Sequence, residues 1–107
     1  MPTSRARRSP ARRNRTGVTA ADDALSVKAE RLLAAGDILA ARTLFQSLVT
    51  AGDPRGARGV AQTFDSHVLD RYPASGVVPD QAEAARWRTI AARLETRQRR
   101  NQGEPSQ

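Results

Sequence analysis

The sequence predicts an all-α protein, a short solenoid of about two helical hairpins with a disordered basic arm at its N-terminus. Apolar residues recur three and four positions apart between residues 21 and 94, which is the spacing of a helix face. Acidic residues that favour the start of a helix alternate along the chain with glycines that favour the end of one. Nothing alternates with a period of two for long enough to form a strand. Of the 19 Leu, Ile, Val and Phe residues, 18 lie between residues 21 and 94, so we expect this stretch to hold the core.

Two helices are predicted in the first hairpin. The first begins at Asp22 or Asp23, because a carboxylate there can accept hydrogen bonds from the free N–H groups of the first turn. It ends at Gly36, and Asp37 is placed to cap the second helix, which ends at Gly52. The apolar faces are Leu25, Ala29, Leu32 and Leu33 in the first helix, and Ile38, Ala41, Leu44, Phe45, Leu48 and Val49 in the second.

The second hairpin is predicted from Asp53 onward. Asp53-Pro54 starts the third helix, because a proline at the first helical position has no N–H group to leave unsatisfied. A turn at residues 72–76 separates it from the last helix, which starts at Pro79-Asp80. We place the folded domain at residues 21–96 and a disordered polar tail at residues 97–107. The apolar faces are Ala57, Val60, Ala61, Phe64 and Val68 in the third helix, and Ala84, Trp87, Ala91 and Leu94 in the last.

A pattern in the second helix recurs 43 residues later in the last helix. In both copies an Asp is followed by Ala at the fourth position, a large apolar residue at the seventh, and small or apolar residues at the eleventh and twelfth. Many of the 19 alanines lie on the apolar faces, which favours closely packed helix pairs such as those of an α-solenoid. The two copies are Asp37, Ala40-Ala41, Leu44, Leu48-Val49 and Asp80, Glu83-Ala84, Trp87, Ala91-Ala92.

The second copy resembles the motif of the Sel1-like repeats, a family related to the tetratricopeptide repeats. Glu83 takes the place of the family's Lys, eleven residues separate Phe64 from Gly76, and Glu95 stands where the family has a closing glycine. The resemblance implies a bacterial scaffold for protein–protein contacts, in which the motif residues pack the helices and none is catalytic. The matching positions are Gly76-Val77, Asp80, Ala84, Trp87 and Ala91-Ala92, preceded by Ala57, Val60-Ala61 and Phe64.

Composition excludes several classes of protein. The chain has no Cys, so it has no disulfide framework, no thiolate zinc site and no cysteine nucleophile. No apolar run approaches the ~18–20 residues of a membrane span, and the basic N-terminus lacks the apolar segment of a signal peptide. We therefore expect a cytoplasmic protein without a cofactor or a metal site, while non-classical secretion stays open.

Residue types that are common in catalytic sites have a simpler interpretation in this chain. Asp65-Ser66-His67 contains the three residue types of a hydrolase triad, but consecutive residues cannot align nucleophile, base and orienting acid. We expect Asp65 or Ser66 to cap the turn that follows instead. Trp87 could anchor a partner at an exposed surface, but its helical spacing from other apolar residues predicts packing between helices.

An arginine-rich arm is the feature with the most functional weight. Residues 1–20 carry six arginines and no acid, out of a net charge of +7 for the chain. Such a segment can bind a phosphate backbone through the release of counterions, and it has no aromatic residue for base stacking. A nuclear import signal, a patch for anionic lipid or an acidic partner, and a merely solubilising tail stay open. The arginines are Arg5, Arg7, Arg8, Arg12, Arg13 and Arg15.

These observations predict a non-enzymatic protein–protein interaction module, an adaptor or scaffold made of helical repeats. The alternative is a nucleic-acid-associated protein that binds the phosphate backbone through its arginine-rich arm. At least three repeats usually share a continuous core, so two repeats are predicted to be marginally stable, or to be stabilised by a protein partner or a second copy.

Overall fold

The structure is a computed structural model that describes residues 18–102. Within that range the chain forms helices and no strand, which confirms the predicted all-α class. Residues 1–17, which carry the arginines of the predicted arm, and residues 103–107 lie outside the described part. The elements are α1 (Ala20–Ala34), α2 (Ile38–Thr50), α3 (Pro54–Phe64), the short α4 (Ser66–Leu69), a 3-10 turn (Pro73–Ser75) and α5 (Gln81–Asn101).

Consecutive long helices pack against each other. Helix α1 packs on α2, α2 on α3, and α3 on α5, while α1 also touches α3. Short turns make neighbours antiparallel, so α1 and α3 run in the same direction. The predicted apolar faces of α1, α2 and α3 supply most of the buried core, and Trp87 of α5 packs against it. The buried core consists of Ala29, Leu33, Ile38, Ala41, Phe45, Leu48, Val60 and Leu69.

The start of α1 differs from the prediction. Its N-cap is Thr19, whose hydroxyl oxygen accepts a hydrogen bond from the Asp22 N–H at 3.1 Å. The Asp22 carboxylate accepts in return from the Thr19 N–H at 3.2 Å, which completes a capping box. Asp22 therefore lies in the first turn, so the predicted start at Asp22 or Asp23 is wrong. Asp37 is the N-cap residue of α2, but its side chain makes no capping hydrogen bond, so its predicted capping role is also wrong.

The other predicted helix boundaries are largely confirmed. The Asp53 carboxylate accepts from the Arg55 N–H at 2.9 Å, and the Asp80 carboxylate accepts from the Glu83 N–H at 3.0 Å. Gly36 and Gly52 end α1 and α2 with φ of 82° each, a left-handed conformation that favours glycine.

Two helix ends depart from the prediction. Helix α3 ends at Phe64, because Asp65 adopts an extended conformation and caps the separate helix α4. Val68, predicted on the face of the third helix, therefore lies in α4. Helix α5 continues to Asn101, five residues beyond the predicted boundary at 96, because Glu, Gln and Arg favour helix as long as no breaker intervenes.

Residues 65–79 form an insertion between α3 and α5 that closes at its base. The N–H of Asp80 donates to the carbonyl of Phe64 at 2.8 Å, so α5 begins beside the end of α3. The N–H of Ser66 also donates to the side-chain oxygen of Gln81 at 2.6 Å. The tip of the insertion reaches the first hairpin: a Cβ on Gly36 would lie 3.2 Å from the Tyr72 ring.

Two glycines of α3 allow the closest helix contact of the fold. A Cβ on Gly59 would overlap three atoms of the Phe45 ring, and one on Gly56 would lie 2.6 Å from the backbone nitrogen of Val49. Phe45 is 0% exposed, so its ring lies directly on the α3 backbone. These glycines are therefore packing residues, a role that their position inside a predicted helix did not reveal.

Candidate functional site

One broad surface lies along α1 and α3, and we call it the α1–α3 face. The spacing of its residues on each helix is three or four, which places them on one side. Because the two helices run in the same direction, one end of the face holds both N-terminal ends and the other holds both C-terminal ends. The face consists of Asp23, Val27, Glu30 and Ala34 on α1, and of Arg55, Arg58 and Gln62 on α3.

The N-terminal end of the face contains a depression of about 230 Å³. Arg55 lies inside it between two carboxylates, with its Nη2 atom 2.7 Å from Asp53 and 3.0 Å from Asp23. Asp53 is only 2% exposed, so its charge is compensated by Arg55 and by the first backbone N–H groups of α3. The hydrogen bond that Arg55 donates to Asp53 raises the pKa of Arg55.

A second ion pair closes the same depression. Arg58 of α3 pairs with Glu95 of α5, and Val18 and Gln98 complete the lining. Both arginines of this depression therefore already have acidic partners. A ligand would have to replace these ion pairs, which indicates that the N-terminal end of the face joins α1, α3 and α5 rather than binding an anion.

The C-terminal end of the face differs from the N-terminal end because its charged side chains have no ion-pair partners among the described residues. Two adjoining depressions of about 340 and 310 Å³ share Arg71 and Tyr72, and we call them together the C-terminal groove. The first lies between α1, α3 and the insertion, and the second between the α1–α2 turn and the 3-10 turn. Within residues 18–102, neither Glu30 nor Arg71 forms an ion pair. The remaining lining residues are Leu33, Ala34, Gln62 and Val68, then Ala35, Gly36, Pro73, Ala74 and Ser75.

The groove therefore offers apolar surface, one aromatic ring and unpaired charges of both signs. Tyr72 was predicted only as part of a turn, and Arg71 had no predicted role. Their position depends on the insertion folding back over Gly36, a contact between residues far apart in the sequence. The local signals for this turn are the pairs Tyr72-Pro73 and Ser75-Gly76.

Asp65, Ser66 and His67 do not form a catalytic triad. The Asp65 carboxylate accepts from the His67 N–H at 2.8 Å and pairs with Arg88 of α5 at 2.5 Å. The hydrogen bond from the His67 backbone, supported by the charge of Arg88, lowers the pKa of Asp65. The predicted capping role of Asp65 is confirmed.

Trp87 lies at the edge of the core. It is half-buried and packs against the core cluster, which confirms the predicted contact between helices but not complete burial. Its indole N–H donates to Glu83 at 3.1 Å, and the Arg86 guanidinium lies 5.3 Å from the centre of its ring. The exposed part of the indole is therefore covered by charged side chains of its own helix.

The six arginines predicted to contact nucleic acid or another anionic partner, Arg5 to Arg15, lie outside the described residues. Within residues 18–102 no helix is long and apolar enough to cross a membrane. The same range contains no group of three or more His, Cys, Asp or Glu side chains that could hold a metal ion.

Comparisons with protein-family models, with curated proteins and with solved structures gave no significant match. The resemblance to Sel1-like repeats therefore rests on the residues quoted for it. The fold itself defines the class of this protein, an all-α chain of two packed hairpins.

Proposed function

We propose that this protein is a non-enzymatic interaction module that binds a protein partner in the C-terminal groove of the α1–α3 face. The observation that carries the proposal is the groove itself, whose two depressions of about 340 and 310 Å³ meet at Arg71 and Tyr72. Helical repeat proteins bind their partners on the concave surfaces that stacked helix pairs create.

The chemistry of the groove supports a protein partner. Tyr and Arg are enriched at protein interfaces, because each combines a large contact area with hydrogen-bonding groups. Val68, which is only partly buried, provides apolar surface beside them, and Glu30 and Arg71 are free to pair with charges of opposite sign. The expected ligand is a segment with an apolar side chain flanked by one basic and one acidic residue.

The acidic residues support a structural rather than a catalytic role. Asp53 and Asp80 cap α3 and α5, and Asp65 caps α4 while it pairs with Arg88. Each carboxylate is occupied by the backbone of its own helix. Membership of the Sel1-like repeats, a bacterial source and a cytoplasmic location belong to the same proposal and rest on the sequence.

Site-specific photo-crosslinking tests the proposal. A benzophenone amino acid replaces Ala34, an exposed residue of the groove, in the full chain expressed in its native cells. The matched control carries it at Leu39, which is 58% exposed on α2 outside the α1–α3 face. We expect a discrete protein adduct from position 34 that survives nuclease treatment and is absent from position 39.

A further variant identifies the groove as the contact. Arg71→Glu replaces the one basic residue that lines the groove by a second acid and should reduce the yield of the adduct from position 34. An adduct of twice the chain mass would identify a second copy as the partner. Equal adducts from positions 34 and 39, or no adduct from either, would refute the proposed function.

A further inference from the structure

The exposed side of α5 carries a line of arginines. Arg86, Arg93, Arg97 and Arg100 are separated by seven, four and three residues, so they lie on one side of the helix. All four are exposed, while the opposite side of α5 holds the buried Ala84 and Ala91. We call this line the α5 arginine stripe. Fourteen residues at about 1.5 Å per residue give it a length of about 21 Å.

Most of the stripe has no acidic partner. Arg86 pairs with Glu83, but within residues 18–102 no acidic side chain pairs with Arg93, Arg97 or Arg100. A shortage of acidic residues does not explain the unpaired arginines, because the same range contains ten acidic and twelve basic residues.

Two other exposed arginines of the second hairpin do have acidic partners. Arg58 and Arg88 are both neutralised, by Glu95 and Asp65 respectively. Glu95 is also a residue of α5, yet it faces α3 and leaves the stripe unneutralised. Three arginines without an acidic partner in the described part of the chain, Arg93, Arg97 and Arg100, therefore lie together on one exposed side of α5.

We propose that the α5 arginine stripe binds the sugar–phosphate backbone of double-stranded DNA without reading its sequence. Arginine suits this role because its planar guanidinium can donate two parallel hydrogen bonds to a phosphate. Of the 18 basic residues in the chain, 17 are arginine. Duplex DNA carries one charge per ~1.7 Å of its axis with both strands counted, so a duplex segment of this length has about a dozen phosphates, a few of which can face the stripe.

The residues beside the arginines favour a duplex over other polyanions. Thr89 and Thr96 lie on the same side of α5, and their hydroxyls donate to the carbonyls of Ala85 and Ala92. Trp87, the one aromatic residue of α5, is packed against the core and lies beside Glu83 and Arg86, so its ring is not free to stack unpaired bases as single-stranded ligands require. The apolar side of α5 is packed on α3, so it cannot enter a bilayer as an interfacial helix must.

The stripe lies close to the point where the N-terminal arm joins the fold. Val18, the first described residue, lines the same depression as Gln98 of α5. The six arginines of the arm precede Val18 by three to thirteen residues. The arm therefore joins the fold near the C-terminal part of α5, which carries Arg97 and Arg100.

Fluorescence anisotropy with a fluorescein-labelled 24-base-pair DNA duplex tests this inference, using the full chain at 50–300 mM NaCl. The stripe variant carries Arg93→Gln, Arg97→Gln and Arg100→Gln. Three lost phosphate contacts should lower the association constant at 100 mM salt by about tenfold or more, and reduce the log–log salt slope by about 2–3. Replacing the same three residues by Lys should keep most of the slope, which separates loss of charge from loss of fold.

The matched control removes the same charge from outside the stripe, with Lys28→Gln, Arg31→Gln and Arg99→Gln. It should change the association constant by no more than about twofold, because these residues lie off the stripe. A third variant replaces the six arm arginines by Gln. Far-UV circular dichroism establishes that each variant is helical.

Three results would overturn the inference. Equal losses in the stripe and control variants would mean that net charge, and not its position, determines binding. Binding that is abolished in the arm variant but unchanged in the stripe variant would assign the contact to the arm alone. Binding of the wild-type chain to vesicles of phosphatidylcholine and phosphatidylglycerol (3:1), with none to the duplex, would replace DNA by a membrane surface.

Discussion

Gly59→Ala is expected to destabilise the protein, although alanine is the better helix former. Inside a helix, replacing glycine by alanine gains about 1 kcal/mol. In this fold the new Cβ would overlap the Cγ, Cδ1 and Cε1 atoms of Phe45, whose ring is fully buried and has no space to move into. Overpacking of this kind costs about 3 kcal/mol at the upper end of its range. The net loss is therefore about 2 kcal/mol, near half the stability of a domain this small.

Urea unfolding followed by circular dichroism at 222 nm measures this loss. With a slope of about 1 kcal/mol per molar urea, the midpoint should fall by about 2 M. In a Phe45→Leu background the same substitution should cost less, because the smaller side chain relieves the overlap. Gly52→Ala is the matched control. It has a φ of 82° and no atom within 4 Å, so its cost of about 1 kcal/mol is purely conformational and unaffected by residue 45. A midpoint for Gly59→Ala equal to or above that of the wild type would refute the reasoning.

Three further outcomes are expected. Trp87→Ala should cost about 2 kcal/mol in urea unfolding, less than the loss of a fully buried Trp, because the indole is only partly buried. Trp87→Phe should retain most of that free energy. Arg42→Met should cost about 1–2 kcal/mol, because the Arg42 guanidinium donates to the hydroxyl and the carbonyl of Thr63 at 2.9 Å each. Arg42→Lys should recover only part of this loss, and full recovery would contradict the paired geometry. The lowered pKa of Asp65 predicts that its stabilising effect is complete above its ordinary value of 3.8 and disappears as the pH falls through the folded-state value. The difference in unfolding free energy between wild type and Asp65→Asn should therefore shrink from pH 7 to pH 3, and a constant difference would show that the ionised carboxylate is not responsible.

Local signals account for the parts of the fold that the sequence predicted well. A helix cap depends on residues within three positions of each other, so Asp53 and Asp80 could be assigned from spacing alone. Thr19 and Asp22 have the spacing of a capping box, but the two adjacent acids suggested a later start. The apolar faces followed from periodicity, because each long helix buries one side.

Contacts between distant residues account for what the sequence did not predict. From the sequence, Gly59 is expected only to weaken its helix. Its role in packing becomes apparent from the Phe45 ring, which lies directly against it. The C-terminal groove exists because the insertion folds back over Gly36, and no local pattern encodes that distance. The spacing of the arginines in α5 is visible in the sequence. That Glu95 pairs with Arg58 of α3, and not with an arginine of the stripe, depends on how α5 packs on α3.

The closed insertion has a consequence for how the two hairpins unfold. In a linear repeat array each hairpin contacts only its neighbour, so a terminal hairpin can open alone. Here the insertion belongs to the second hairpin, yet its Leu69 joins the core cluster and its Tyr72 rests on Gly36 of the first. Opening either hairpin breaks these contacts. Hydrogen exchange should therefore give the amides of α2 and α3 one common free energy of opening, the signature of a single cooperative unit.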